Sequence, residues 1–351
     1  MYFETLSNEE QQILNTYSKI IVWGFPLHTH THSYIHAMWV KVFKEGFGKE
    51  TYWFHNDNYP SNFDYTNCIF ITEGYADSKI PIIESSIYFV HNAIYPEKYL
   101  DKHVRLIEIR FNVMEIHDVN NDFKLDDGTH ENIVYLSEET KYEKIYSNKD
   151  IHVSKRGNEI KNMNYECIYL YWATDLLPHE FDFNNIPDKN TPIIHYIGSV
   201  ITPNLNKFKE VCQQYNIQWV HNNPWVNPIS FEENKQLMQK SILCPDFRPT
   251  CTFQDIQEFG IKNGKNHMEI GYLPCRVLKA ISYGQLGITD CIHIKNILNE
   301  HVIYHDNMET LFQMSIHERT NKERIIKAMK YVQERHTYVN RARDLIRAIL
   351  Q

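Results

Sequence analysis

Short apolar runs alternate with amphipathic runs of helical length along this chain, and the alternation starts afresh after a proline-punctuated stretch. Strands joined through a helix run parallel, and a parallel sheet needs cover on both faces. The first series opens with KIIVWGF, a buried strand. SYIHAMWVKVFKEG follows, apolar at helical spacing and stopped by Gly46. TYWF, NCIFIT, SIYFVHN, VRLIEIRFNV and CIYLYWATDLL are further strand candidates, whereas residues 113–164 are polar and predict hairpins and loops. Residues 178–192, PHEFDFNNIPDKNTP, carry three prolines between two apolar strands and read as a linker.

The second series runs through IIHYIGS, a helix opened by Thr202 and Pro203, IQWV, and a helix with a capping box from Ser230 to Glu233. SILCP, the helix PCRVLKAISYG and the strand QLGIT follow. HVIYH predicts a last strand, and helices over 322–334 and 337–349 close the chain. The pattern predicts an α/β protein of two Rossmann-like domains facing across a cleft. Residues 1–177 form the first, 178–192 link them, and 193–335 form the second. Residues 336–351 form a helix packing back towards the first domain.

With 351 residues the chain is long enough for two cores. Hydrophobic content of 42% against 23% charged residues indicates a folded chain and not a disordered one. A net charge of -8 without a basic block argues against nucleic-acid binding. Seven scattered cysteines without a CxxC pair read as reduced thiols. The polar start MYFETLSNEEQQ is unlike a secretory signal, and no apolar run approaches the length of a membrane helix. A cytoplasmic protein without an integral membrane segment is the expectation.

Ligands of open parallel sheets sit at the carboxyl ends of the strands. There, in the second series, YIGS supplies Gly198 and Ser199, CPDFRP supplies Arg248, and EIGYLPCR supplies Glu269, Gly271, Tyr272, Leu273, Pro274 and Arg276. Glycine permits close backbone approach, and a helix N-terminus beside an arginine suits a diphosphate. Lys279 lies one turn further along the same helix. The alternative is that both cations snorkel to solvent or pair with Glu269 or Asp290.

The stretches TPIIHYIGSV, FKEVCQQYNIQWV and GYLPCRVLKAISYGQLGITD together resemble the C-terminal, nucleotide-sugar-binding half of GT-B glycosyltransferases, in the branch of the group 1 and spore-protein-like transferases. The tail MKYVQERHTYVNRARDLIRAIL is similar to that branch through His336, Tyr338 and Arg341. The resemblance covers roughly residues 190–351; the first half matches only in element order. It implies a metal-independent hexosyltransferase using a UDP-, GDP- or dTDP-sugar and a glycan, lipid or small-molecule hydroxyl acceptor, with no obligatory cofactor. One departure stands out: Lys279 and Gly271 occupy the places of the paired glutamates found in retaining members, and Glu269 is out of register.

In the first series GFPLHTHTHSYIH follows the first strand, where such transferases line the acceptor site. His28, His30 and His32 alternate, so an extended loop would put them on one face. An inverting transferase needs a base there, and histidine titrates in the right range. His32, next to the following helix, is the first candidate and His30 the second, with His28 of the same loop and His91 and Asn92 after the fourth strand as sugar or acceptor contacts. Asp175 near the linker reads as a hinge contact, with a base as the alternative. A solvated polar loop is the plain alternative for any one of these histidines. Other readings are a GT-B-like epimerase using the same nucleotide-sugar and, on the HTHTH stretch, a metal-dependent amidohydrolase barrel. No metal is expected, because no Cys or His pair follows at the short spacing of a structural site.

Overall fold

The apolar runs of the first series become β1 (Lys19–Trp23), β2 (Glu50–Phe54), β3 (Cys68–Glu73), β4 (Ile87–His91) and β5 (Arg105–Arg110). β6 (Tyr146–Ser147), the hairpin of β7 (Ile151–Arg156) with β8 (Glu159–Asn164), and β9 (Glu166–Tyr169) complete it. This is a computed structural model, and it describes residues 2–30, 32–91, 93–110, 146–147, 151–156, 159–198, 202–224, 226–246 and 273–351. The described chain is mixed α/β and divides into two units.

The first unit takes Met1–Phe111, Tyr142–Leu170 and Tyr338–Gln351. Its sheet has the order β2-β1-β3-β4-β5-β9-β6, parallel throughout except for β6 against β9. β3 and β4 are buried at every position, as a parallel strand covered on both faces must be. Ile21, Trp23, Phe70, Tyr88, Val90 and Leu106 build one side of its core. The described strands form an open order with β2 and β6 at its ends, which is not the closed barrel an amidohydrolase needs.

Helices α1 (Asn8–Thr16), α2 (Ser33–Lys41) and α3 (Glu97–Leu100) belong to this unit. Ser7 and Glu10 cap α1 reciprocally. Glu10 also accepts from Arg347 Nε at 2.8 Å, which ties the C-terminal helix to α1. Arg105 donates to the carbonyls of Ala348 and Ile349, which are left without intrahelical partners at that helix's end. The last helix thus belongs to the same unit as the first.

The described residues of the second unit all fall within Tyr171–Thr337. The chain therefore changes unit just before Tyr171, upstream of residues 178–192. The reason is visible in that stretch itself: Tyr171 and Phe181 are buried in the second core, and Phe183 and Ile186 pack against it. Lys189 is buried too, its Nζ donating to the carbonyls of Pro187 and Gly284. Residues that look like a linker by composition form one wall of the second core.

In this unit β10 (Ile193–Ile197) pairs parallel with β11 (Gln218–Asn222), and β12 (Pro245–Asp246), β13 (Gly287–Thr289) and β14 (Val302–Tyr304) form a second parallel sheet. Ile242 N donates to Ile193 O at 2.8 Å, so the run leading into β12 lies beside β10. Helices α4 (Thr202–Gln214), α5 (Phe231–Lys240), α6 (Cys275–Ser282), α7 (Ile292–Leu298), α8 (Met308–Glu318) and α9 (Lys322–Arg335) accompany these strands. α10 (Tyr338–Leu350) is the C-terminal helix of the first unit.

Val277, Leu278 and Ile281 of α6 enter a core shared with Ile194, Phe208, Ile288 and Phe312. Ala280 packs instead with Met238, Cys244 and Tyr283. Each large aliphatic side chain buried in this way contributes roughly 1.5–3 kcal/mol. Arg276 and Lys279 emerge on the remaining stripe. No helix among the described residues is long and apolar enough to cross a membrane.

Candidate functional site

β3 and β4 are parallel neighbours in a register that puts Glu73 opposite His91, each the last residue of its strand. Partnered residues of adjacent strands share a sheet face, so a carboxylate and an imidazole meet at the carboxyl edge. β1 lies on the other side of β3, and the loop after β1 brings in a third group, His32. His32 Nδ1 and His91 Nδ1 both lie 2.6 Å from Glu73 Oε2. Glu73 is wholly buried, His91 nearly so, and the His32 side chain keeps 21% of its exposure.

Packing and hydrogen bonds hold the loop. Gly24 follows β1, and a Cβ there would run into the His36 ring, so glycine is required for α2 to come this close. His36 is buried and its Nδ1 accepts from Phe25 N at 3.1 Å. Burial drives the His36 imidazole down from 6.5 to about 3, which leaves it neutral and able to accept that hydrogen bond. His30 stacks on Phe25 with ring centroids 4.1 Å apart, and its Nδ1 accepts from His32 N at 3.1 Å. Ser33 Oγ donates to His30 O at 2.6 Å and accepts from His28 N at 3.1 Å.

These turns correct the one-face reading of the three alternating histidines. His28 has φ 70, in the left-handed region, and Thr29 and Ser33 close turns with Pro26 and His30. A two-residue period holds only for extended backbone. As a result His28 is exposed and pairs with Tyr34, His30 packs on Phe25, and His32 alone of the three bonds Glu73. Asn92 lies outside the described residues.

Burial works against charge on Glu73, but His91 and the two imidazole hydrogen bonds outweigh it, and the carboxyl is held below its ordinary range. Burial lowers His91 first, ahead of the opposing pull of Glu73. Burial also lowers His30, with His32 adding to the effect. The arrangement is an ionised buried carboxylate receiving an N–H from each of two imidazoles. In that tautomer the ring lone pair of His32 sits on Nε2.

The second unit has its own polar edge. β10 ends at Ile197, and Gly198 follows with φ 122, a conformation glycine tolerates. A Cβ on Gly198 would strike the Arg276 guanidinium. Arg276 Nη2 donates to Ile197 O at 2.6 Å, Nη1 bonds the Tyr196 hydroxyl, and the guanidinium lies 3.9 Å over the Tyr196 ring. Asp246, the fully buried last residue of β12, sits 3.5 Å from Nη1.

Lys279 is directed elsewhere: its Nζ is 3.2 Å from Asp175 Oδ2, and Tyr283 OH donates to the same carboxylate at 2.6 Å. Among the described residues both cations pair with acids, Arg276 with Asp246 and Lys279 with Asp175. Leu273 is wholly buried among core residues, and Pro274 sits in extended backbone at the start of α6. Ser199, Arg248, Glu269, Gly271 and Tyr272 lie outside the described residues.

Sequence reasoning missed Glu73, Asp246 and Tyr196. Glu73 had a signal: CIFITEG is a buried strand whose last residue is a carboxylate followed by glycine. Asp246 lies in the CPDFRP stretch, two positions before Arg248. No family model, curated protein or solved structure matches the chain.

Proposed function

We propose that this chain is a glycosyltransferase of GT-B arrangement, moving a sugar from a nucleotide-diphosphate-sugar to a hydroxyl acceptor without an obligatory metal. The observation that carries the reading is the 2.6 Å bond between His32 Nδ1 and the buried Glu73 carboxylate, at the carboxyl edge of a parallel sheet. Glu73 holds the imidazole in one tautomer and stabilises the imidazolium formed when Nε2 takes the acceptor's proton. The deprotonating oxygen then attacks the anomeric carbon in a single displacement, and the nucleoside diphosphate departs.

Donor phosphates belong to the second unit in this reading. Arg276 stands at the first turn of α6, beside the Gly198 backbone. The guanidinium has five N–H donors, gives hydrogen bonds to the Tyr196 hydroxyl and Ile197 O, and stands 3.5 Å from the Asp246 carboxylate, so it is held in place before an anion arrives. Lys279, paired with Asp175, serves to fix α6 and not to meet the phosphate.

The test is a panel of UDP-, GDP- and dTDP-sugars with hydroxyl acceptors, followed by two variants. His32→Ala should lower transfer by about 10²–10⁴ with nucleotide affinity unchanged. Arg276→Gln should weaken nucleotide binding by about 1.5–3 kcal/mol, the range for a hydrogen bond to a charged group. No nucleotide binding across the panel, or full turnover in His32→Ala, refutes the proposal.

A further inference from the structure

His32, Glu73 and His91 each offer one ligand atom, and these atoms lie within 4.8 Å of one another. We propose that the three residues form a binding site for one divalent transition ion of the zinc type, and that its occupancy shuts off the His32 base. The second half of that statement rests on the transferase reading; the first does not.

The donor set selects the ion. Two imidazole nitrogens and one carboxylate oxygen, with no thiolate, suit zinc, cobalt or nickel, whereas calcium and magnesium want oxygen throughout. The three ligands come from three places: the loop after β1, the end of β3 and the end of β4. Strand register holds two of them side by side, and the His30 ring nitrogen fixes the backbone of the third. A site built this way needs no short sequence spacing, which is why the spacing argument against a metal does not reach it. Three protein ligands also leave a zinc ion's fourth position open.

The fit demands only a small movement. Ligand atoms at about 2.0–2.2 Å from a tetrahedral ion stand roughly 3.3 Å apart. Each 2.6 Å contact to Glu73 Oε2 would open by about 0.7 Å, within reach of side-chain rotation. The ion would take His32 Nδ1 and Glu73 Oε2, the two atoms that form the base pair of the proposed reaction. Metal binding and base catalysis are therefore mutually exclusive.

The test begins with metal-free full-length protein and no substrate. Zinc is titrated against a chromophoric chelator, and cobalt uptake is followed by its visible absorption. One ion per chain is expected, with the intense bands of a four-coordinate cobalt site. His91→Ala should weaken zinc binding by more than roughly 100-fold, since even outer-shell partners cost 10–100-fold. His28→Ala, on the same loop but paired with Tyr34, should leave binding within about 3-fold. Absence of stoichiometric uptake by the wild type overturns the proposal, and so does equal uptake by folded His91→Ala. Zinc should also inhibit transfer in the wild type; binding without inhibition overturns the exclusivity. If zinc binds as described and no sugar transfer is found, the site stands and the transferase reading fails. If transfer depends on His32 and no zinc binds, the reverse holds.

Discussion

His36 offers a direct measure of how dry the base of the histidine loop is. Its imidazole is buried, accepts the Phe25 amide at 3.1 Å, and titrates at about 3 instead of 6.5. The unfolded chain binds a proton below 6.5; the folded chain does not until about 3. Stability must then fall as pH drops through that window, because the unfolded state holds the extra proton. Integrated from pH 7 to pH 5, the loss from this residue is about 2 kcal/mol. His36→Asn is the control, since its side-chain oxygen can replace Nδ1 as acceptor and does not titrate. The variant loses stability at pH 7 through lost packing, but the gap to wild type should shrink by about 2 kcal/mol at pH 5. Chemical denaturation of both proteins at each pH measures the gap, and exchange of the Phe25 amide reports the same event locally. Parallel stability curves, within about 0.5 kcal/mol, would refute a dry, neutral His36.

The second unit yields two further predictions. Gly198→Ala puts a Cβ into backbone at φ 122 and against Arg276, so it should cost about 1–3 kcal/mol in stability and weaken nucleotide binding together; unchanged values for both would contradict the packing described. Lys189 is lowered by burial to about 8 from 10.5, so the unfolded chain holds the extra proton between those values and stability should rise with pH there. From pH 8 to pH 10 the wild type should gain about 2 kcal/mol relative to Lys189→Met, a shift that denaturation at the two pH values would reveal or exclude.

The alternation of apolar strands and amphipathic helices carried the α/β class, because a parallel sheet needs β-branched and aromatic runs buried on both faces, as in CIFITE and IYFVH. Local signals were legible for a similar reason. Gly46 closes the helical stretch of the first series, and the Ser230 hydroxyl accepts from Glu233 N at the start of α5. Such contacts span only a few residues, so neighbouring letters decide them.

The unit boundary was not legible, because Phe181, Phe183 and Ile186 are sparse among polar residues and reveal themselves only by the core they enter. The site was half legible. HTHTH announced itself by composition, but its extended reading failed once the left-handed φ at His28 and the Ser33 bonds turned the loop. Which histidine of the loop meets a buried carboxylate was decided by Glu73, 41 residues away in sequence, and by a strand register that sets it beside His91. Sequence by itself determined which segments become strands and helices, since that depends on periodicity and caps within one turn or one strand. Tertiary structure decided which charges meet, since a buried carboxylate is tolerable only where the folded chain supplies donors to it from other elements.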